Sequence, residues 1–315
     1  MDDTPSPGRT AANHDAEGVH ALVAVEYDLG RPDHCQLLSS GINDVFLIEI
    51  GAARYALRVQ PLAKWWARGE DELRFELDLL DHLRSQQVPV SYPIPRRNGD
   101  PLGSTLTLGG SRFYTLFSWA DGNPPRPISH DQVYIVGNTL AHIHAASDSY
   151  LTRSTRYRMD ERTLLERSLR VLEPTLARGD PADAAFIRQE VARLSAILRA
   201  FDPGTRCWGI IHGDVQPLNY HFDANGRITF FDFDHCGFGW RIYDVAMYYT
   251  RIAEALRTPM LVGYQAVRHL NDAEIAMLAD FGRVAWVKER TMVGEGMDPA
   301  ALAERLRDPY LDLDE

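Results

Sequence analysis

The stretch from Ile210 to His235 reads IIHGDVQPLNYHFDANGRITFFDFDH. Two apolar runs flank the turn formers Asp223-Ala224-Asn225-Gly226, and that pattern predicts a β-hairpin. Polar residues stand at fixed offsets on it. His212, Gly213 and Asp214 follow the first run, Asn219 comes five residues after Asp214, and Asp232 comes thirteen after Asn219. A fold keeps carboxylates and amides in water unless something uses them. Each residue alone reads as an ordinary turn former. Taking roughly one in twenty per position, His, Gly, Asp and Asn at this spacing arise by chance in well under about one per cent of such chains, so the set points to chemistry.

Outward from the hairpin, the two halves of the chain differ. On the N-terminal side, CQLLSSGINDVFLIEIGAARYALRVQ (residues 35–60) alternates about a turn at Gly51-Ala52-Ala53 and predicts one hairpin. EDELRFELDLLDHLR (70–84) sets Leu73, Leu77 and Leu80 at helical spacing with Glu76 inside the apolar stripe. STLTL and SRFYTLFSWA, separated by Gly109-Gly110, predict a second pair of strands, and DGNPPRP then interrupts the chain. Beyond it, Ser129 and Gln132 form a capping-box signature ahead of Val133, Val136, Leu140 and Ile143, and residues 183–201 repeat the helical rhythm. The predicted class is α+β, with a β-rich N-terminal lobe at 21–121 and a helical lobe carrying the polar hairpin at 122–315. Residues 1–20, rich in Pro, Gly and Asp, read as a flexible tail. Alternating βα units are missing, which disfavours a dinucleotide-binding sheet.

Composition narrows the function. With 45 % apolar residues in 315, the chain can bury a sizeable core. Lys and Arg total 33 against 44 Asp and Glu, a net charge of −11, which repels nucleic-acid phosphates and anionic lipid and suits a cationic or zwitterionic small molecule. The apolar runs fall short of the roughly 20 residues of a membrane span, and no secretory signal is read at the N-terminus. Cys35, Cys207 and Cys236 are far apart with no CxxC pair, which argues against a disulfide framework or zinc site and favours a reducing cytoplasm. His142 and His144 have no metal-ligand spacing and read as surface or core histidines, Cys236 as a small buried residue, and Trp65-Trp66 as packing.

HGDVQPLN followed by FFDFD resembles the aminoglycoside phosphotransferase and choline kinase-like family, which includes homoserine-kinase-like enzymes and is related to the protein kinases. Protein kinases carry H-R-D-L-x-x-x-N and D-F-G. Here Gly213 stands in place of the Arg, the form usual in the phosphotransferase branch, and Asp-Phe-Asp replaces Asp-Phe-Gly. The resemblance, running from about Leu37 to Tyr249, implies a two-lobed protein-kinase-like fold and an ATP- and Mg²⁺-dependent transfer of the γ-phosphate to a small-molecule hydroxyl. The implied acceptors are an amino alcohol, an aminoglycoside-type antibiotic or a homoserine-like metabolite.

By that resemblance Asp214 orients and deprotonates the acceptor, while Asn219 and Asp232 hold the metal. Hard Mg²⁺ takes oxygen ligands, which both residues supply. YALR (55–58) resembles the kinase V-A-I-K strand, with Arg58 where kinases have Lys. Glu76 is the expected partner of Arg58, because a charge among leucines calls for a cation, and Glu72 is the fallback. Ser40, Gly41 and Asn43 of SSGINDVF resemble the family's short phosphate loop, and FSWADG resembles its hinge, implying that the Ser118 carbonyl and Ala120 amide meet adenine. His212 resembles a scaffold residue. Asp244 resembles a carboxylate bracing the catalytic loop, the alternative being an ordinary Asp in the first turn of a helix. Two rival readings stand beside this one: a Ser/Thr protein kinase of stress-response type, and a nucleotide-binding scaffold with negligible turnover, prompted by Arg58.

Overall fold

The computed structural model describes residues 16–61, 64–107, 110–202, 204–293 and 296–310. Residues 1–15 of the expected tail, Gly109 of the expected Gly109-Gly110 break and the last five residues lie outside that set. The chain forms two compact units. One comprises residues up to 85, 90–121 and 152–156; the other comprises 86–89, 122–151 and 157 onward.

The first unit is a twisted antiparallel sheet with two helices. Its elements are α1 (Ala16–Glu26), β1 (His34–Ser40), β2 (Asp44–Ile50), β3 (Ala53–Pro61), α2 (Glu70–Ser85), β4 (Pro93–Ile94), β5 (Gly103–Thr107) and β6 (Gly110–Ser118). The strands pair in the order β1-β2-β3-β6-β4, and β5 also pairs with β6. Two expectations are corrected here. The single hairpin of residues 35–60 is a three-stranded meander, because Gly41-Ile42-Asn43 makes a further turn and lets the mostly exposed β1 lie along the edge. Residues 16–20, expected in the tail, are helical. Val19, Val23 and Tyr27 recur at one-turn intervals, are buried with Phe46, Ile48, Leu57, Val59 and Leu116, and so drive helix formation from Ala16. The Tyr27 hydroxyl accepts the Leu116 N–H at 3.2 Å, which ties that helix to β6.

The second unit is mostly helical. It contains α3 (His130–Ala146), β7 (Arg158–Met159), α4 (Arg167–Leu176), α5 (Pro181–Ala200), β8 (Trp208–Ile211), β9 (Tyr220–Phe222), β10 (Ile228–Phe230) and β11 (Gly237–Trp240). There follow α6 (Arg241–Tyr249), α7 (Glu254–Gln265), α8 (Asp272–Ala276), α9 (Leu278–Val293) and α10 (Pro299–Arg307). Ser129 and Gln132 cap α3 reciprocally, as the sequence predicts. α3 and α7 approach closely because each contributes a glycine: a Cβ on Gly137 would stand 2.1 Å from the Met260 carbonyl oxygen, and one on Gly263 2.1 Å from that of Tyr134. β9 and β10 form the predicted hairpin, and β8 pairs with β11 alongside the short parallel β7. The loop after β8 and the hairpin β9-β10 carry the polar residues, while α6 and α9 pack behind them.

Candidate active site

β8 delivers the chain into His212-Gly213-Asp214, and the backbone there is clamped amide by amide. The His212 N–H donates to Asp244 Oδ2 at 2.7 Å and the Gly213 N–H to Asp244 Oδ1 at 2.9 Å. Asp244 is wholly buried in the first turn of α6, where the helix dipole favours an anion. It is thus both a first-turn Asp and a brace for the loop. Its Oδ2 also accepts from His144 Nε2 at 3.0 Å, and His144 Nδ1 accepts from the Tyr264 hydroxyl at 2.8 Å. Burial pulls His144 below the ordinary imidazole range against the pull of Asp244, which fits a neutral ring protonated at Nε2.

Gly213 takes φ +80°, and a Cβ there would stand 2.3 Å from the His235 carbonyl oxygen and 3.0 Å from Met159 Sδ. The arginine of protein kinases has no room at this position, which accounts for the glycine form of the motif. The His212 ring is fully engaged. Its Nε2 donates to the Phe231 carbonyl at 3.1 Å, its Nδ1 accepts the Asp214 N–H at 3.3 Å, and the ring lies 4.3 Å from that of Phe233. Both nitrogens are spent on scaffolding.

The loop brings Asp214 and Asn219 into contact. Asn219 closes a single 3-10 turn, Pro217–Asn219, just ahead of β9. Its Nδ2 donates to the Asp214 carbonyl at 2.8 Å and to Asp214 Oδ2 at 2.9 Å, and Gln216 Nε2 donates to the same Oδ2 at 2.9 Å. The amide nitrogen of Asn219 is therefore used within the protein, which leaves Oδ1 as its atom for a cation. The Asn219 carbonyl accepts the Phe231 N–H at 2.9 Å, drawing the end of β10 and the next residue, Asp232, to the same end of the hairpin. Asp232 sits in the left-handed region at φ 61°, ψ 58°, a conformation that Asp tolerates better than most residues. Among the described residues no three His, Cys, Asp or Glu side chains gather as a metal site. Two oxygen donors from the protein, completed by phosphate and water, are the pattern that Mg²⁺ accepts. The residues fit that ion.

Charge around Asp214 is set from several directions. Burial alone would raise its carboxyl, but the charge of Lys288 first, then the neighbouring His235 and His212 and the Asn219 hydrogen bond, hold it below the usual carboxylate range. Lys288 is buried on α9, with Nζ donating to the Gly213 carbonyl at 3.3 Å. Beside it, Glu289 accepts from Arg251 Nη1 at 2.6 Å. Burial, and then the charge of Asp214, push the Glu289 carboxyl up in spite of Arg251. Sequence reasoning misses Lys288, Glu289 and Arg251. A signal for Lys288 was present: Phe281, Val284, Ala285 and Lys288 share the buried face of α9, so the lysine interrupts an apolar stripe just as Glu76 does.

In the first unit, Arg58 on β3 and Glu76 on α2 pair as expected, Nη2 to Oε2 at 2.7 Å, both buried. The Arg58 guanidinium also lies 4.8 Å from the centre of the Phe117 ring. The fallback, Glu72, is occupied otherwise: its Oε2 accepts the Arg68 and Gly69 N–H groups at the start of α2. Ser40 is exposed at the end of β1 and donates to Asp44 Oδ1 at 2.7 Å, and Gly41 N–H donates to the Asn43 carbonyl at 3.2 Å, closing the β1-β2 turn. The Ser118 carbonyl accepts the Ser91 hydroxyl at 2.6 Å, so one of its lone pairs already serves the protein, and Ala120 follows two residues on, buried. His142 is exposed, Cys236 is buried, and Trp66 is buried with its ring 5.4 Å from that of Trp65.

Comparison with known proteins places the chain in a family. The profile described as "Phosphotransferase enzyme family" matches residues 34–285. The chain is 32 % identical over 278 residues to a homoserine kinase of Rhizobium johnstonii, covering 82 % of this chain and 79 % of that one. Among solved structures it is similar to an amicoumacin kinase in complex with AMP-PNP, Ca²⁺ and Ami (TM-score 0.77, 20 % identity, 94 % and 93 % of the two chains). It is also similar to a microcompartment-associated aminopropanol kinase (TM-score 0.75, 22 % identity, 92 % and 93 %). These likenesses show the protein-kinase-like α+β fold.

Proposed function

The chain belongs to the phosphotransferase enzyme family, and from that premise we propose that it moves the γ-phosphate of ATP to a hydroxyl of a small hydroxylated amine, with Mg²⁺ as its metal. The observation that carries this reading is the Asp214–Asn219 contact inside a loop whose first three amides, those of His212, Gly213 and Asp214, are each held. Phosphoryl transfer asks for positioning and charge neutralisation more than for covalent chemistry. Asp214 Oδ2 is committed to Asn219 and Gln216, so Oδ1 receives the acceptor hydroxyl. A carboxylate held below its usual range is a weak base, which suits a late proton transfer and makes orientation its main contribution. Asn219 Oδ1 and the Asp232 carboxylate hold the metal. When bound, Mg²⁺ neutralises the phosphate oxygens. Arg58, steadied by Glu76, binds phosphate oxygens through its fork, as Lys does with a point charge in kinases. The Ser40-Gly41-Asn43 turn approaches the phosphates, and the backbone at Ser118 and Ala120 meets adenine.

The amine is argued from charge. The net charge of −11 favours a cationic or zwitterionic acceptor over an anionic one. Aminopropanol and homoserine, named for the relatives above, both combine a hydroxyl with an amine. A cytoplasmic location, where ATP is abundant and Cys35, Cys207 and Cys236 stay free thiols, belongs to the same proposal. No helix among the described residues is long and apolar enough to cross a membrane.

The test is ADP release from ATP and Mg²⁺ against a panel of hydroxylated amines, their deaminated analogues and a generic protein substrate. Turnover with an amine and little with its analogue is expected. Labelled protein would point to a protein kinase, and nucleotide binding without turnover to a scaffold. Asp214→Asn is expected to lower kcat by roughly 10² to 10⁴ with ATP binding kept. Full activity in that variant refutes the assignment.

A further inference from the structure

Asp214 is preceded by a glycine, and glycine populates both signs of φ with ease, so sterics alone do not fix the direction of the peptide leading into the catalytic carboxylate. Three amide groups there are held from the N–H side: His212 and Gly213 by Asp244, and Asp214 by the His212 ring. The carbonyl of Gly213 is held from the other direction by Lys288 Nζ at 3.3 Å, 75 residues along the chain. Lys288 is 1 % exposed. Taking an ammonium out of water is costly, and such a group persists where its charge is used. Burial, helped by Arg251, pulls the Lys288 pKa below the ordinary lysine range, and the charges of the carboxylates Asp214, Glu289 and Asp244 act in the opposite direction to keep the ammonium. Each has its own donors: Glu289 is bound by Arg251, Asp244 by His212, Gly213 and His144, and Asp214 by Asn219 and Gln216.

We propose that Lys288 is a positioning residue for phosphotransfer: its ammonium fixes the Gly213–Asp214 peptide by the Gly213 carbonyl and supplies the positive charge beside Asp214. This rests on Asp214 being the group that orients the acceptor. It also gives α9 a task that no motif in the loop announces, since the residues next to Asp214 in sequence, Gly213, Val215 and Gln216, bear no charge.

A filler of space and a positioning cation differ in how activity and stability move together. Lys288→Met keeps the length of the side chain and removes the ammonium. Replacing a buried charge by an apolar group of similar volume is often neutral or stabilising, so the melting temperature is expected to hold or rise. A misaligned Asp214 is expected to lower kcat by on the order of 10²-fold, with KM for ATP changed less than about threefold because nucleotide binding does not depend on the acceptor's alignment. Lys288→Arg, which restores charge and donors, is expected to recover at least about tenfold of that loss. A Lys288→Met enzyme with wild-type kcat, or Met and Arg variants that are equally slow and equally destabilised, overturns the proposal. Should Lys288→Met not fold, Lys288→Gln is measured against Lys288→Arg: a faster Arg enzyme supports the charge, and an equal or faster Gln enzyme overturns it. Asp214→Asn assayed in parallel separates the two readings. If it is inactive while Lys288→Met is fully active, only the role of Lys288 falls; if it is active, the assignment of Asp214 falls first.

Discussion

Asp244→Asn tests the brace behind the catalytic loop. The carboxylate accepts three hydrogen bonds in a buried site: from the His212 N–H at 2.7 Å and His144 Nε2 at 3.0 Å on Oδ2, and from the Gly213 N–H at 2.9 Å on Oδ1. Asparagine offers one acceptor oxygen. If that oxygen keeps the two bonds of Oδ2, the new –NH₂ points at the Gly213 N–H and that amide loses its partner. A charge-assisted bond is worth about 2 kcal/mol and a neutral one about half, so one bond lost and two weakened come to about 4 kcal/mol. Relief of the buried charge offsets part of this, leaving about 3 kcal/mol. For a unit of this size, each kcal/mol moves Tm by about 2 to 4 °C, so a fall of about 6 to 12 °C is expected in a circular-dichroism melt. Because the loosened amides lead straight to Asp214, kcat should drop by at least about tenfold at a temperature where the variant is fully folded. A variant that melts within about 2 °C of wild type and turns over normally would show that these hydrogen bonds do not govern the loop.

Three further outcomes follow from the same geometry. Arg58→Met leaves Glu76 buried and unpaired and should cost about 3 to 5 kcal/mol, whereas Arg58→Met with Glu76→Leu should regain most of that, both read by denaturant melts. His144 has a folded-state pKa below its unfolded value of about 6.5, so the unfolded chain binds the extra proton. Its contribution is therefore complete above about pH 6.5 and lost as pH falls toward the folded value, and Tm should decline over that window less steeply in His144→Gln. If Asp232 holds Mg²⁺ as proposed, Asp232→Asn should raise the Mg²⁺ concentration for half-maximal activity by at least about tenfold, while the melt without metal changes little.

The helical and strand pattern was legible wherever one face of an element is buried. The spacing of Leu73, Leu77 and Leu80 predicted α2, and its one misplaced charge predicted the Arg58 pair, because a carboxylate on an apolar stripe has few physical solutions. The polar set His212, Asp214, Asn219 and Asp232 stood out because it brackets one short hairpin, Tyr220–Phe230, at fixed spacing. What stayed hidden lacked local contrast. The first turns of α1 follow a run of Pro, Gly and Asp, and only the core contacts of Val19, Val23 and Tyr27 show why helix begins there. β1 is an edge strand with exposed side chains, so its alternation carried little signal. Lys288 reaches the loop from far along the chain, and only three-dimensional packing reveals its destination.

The crowding at Gly213 also bears on how chains of this kind diverge. A single base change turns a glycine codon into an arginine codon, so the protein-kinase version of the motif is always one mutation away. In this protein that step meets the backbone of His235, where even a methyl group lacks space. The turn around residue 235 has to be rebuilt before the exchange can survive, so the two ends of this stretch have to change together.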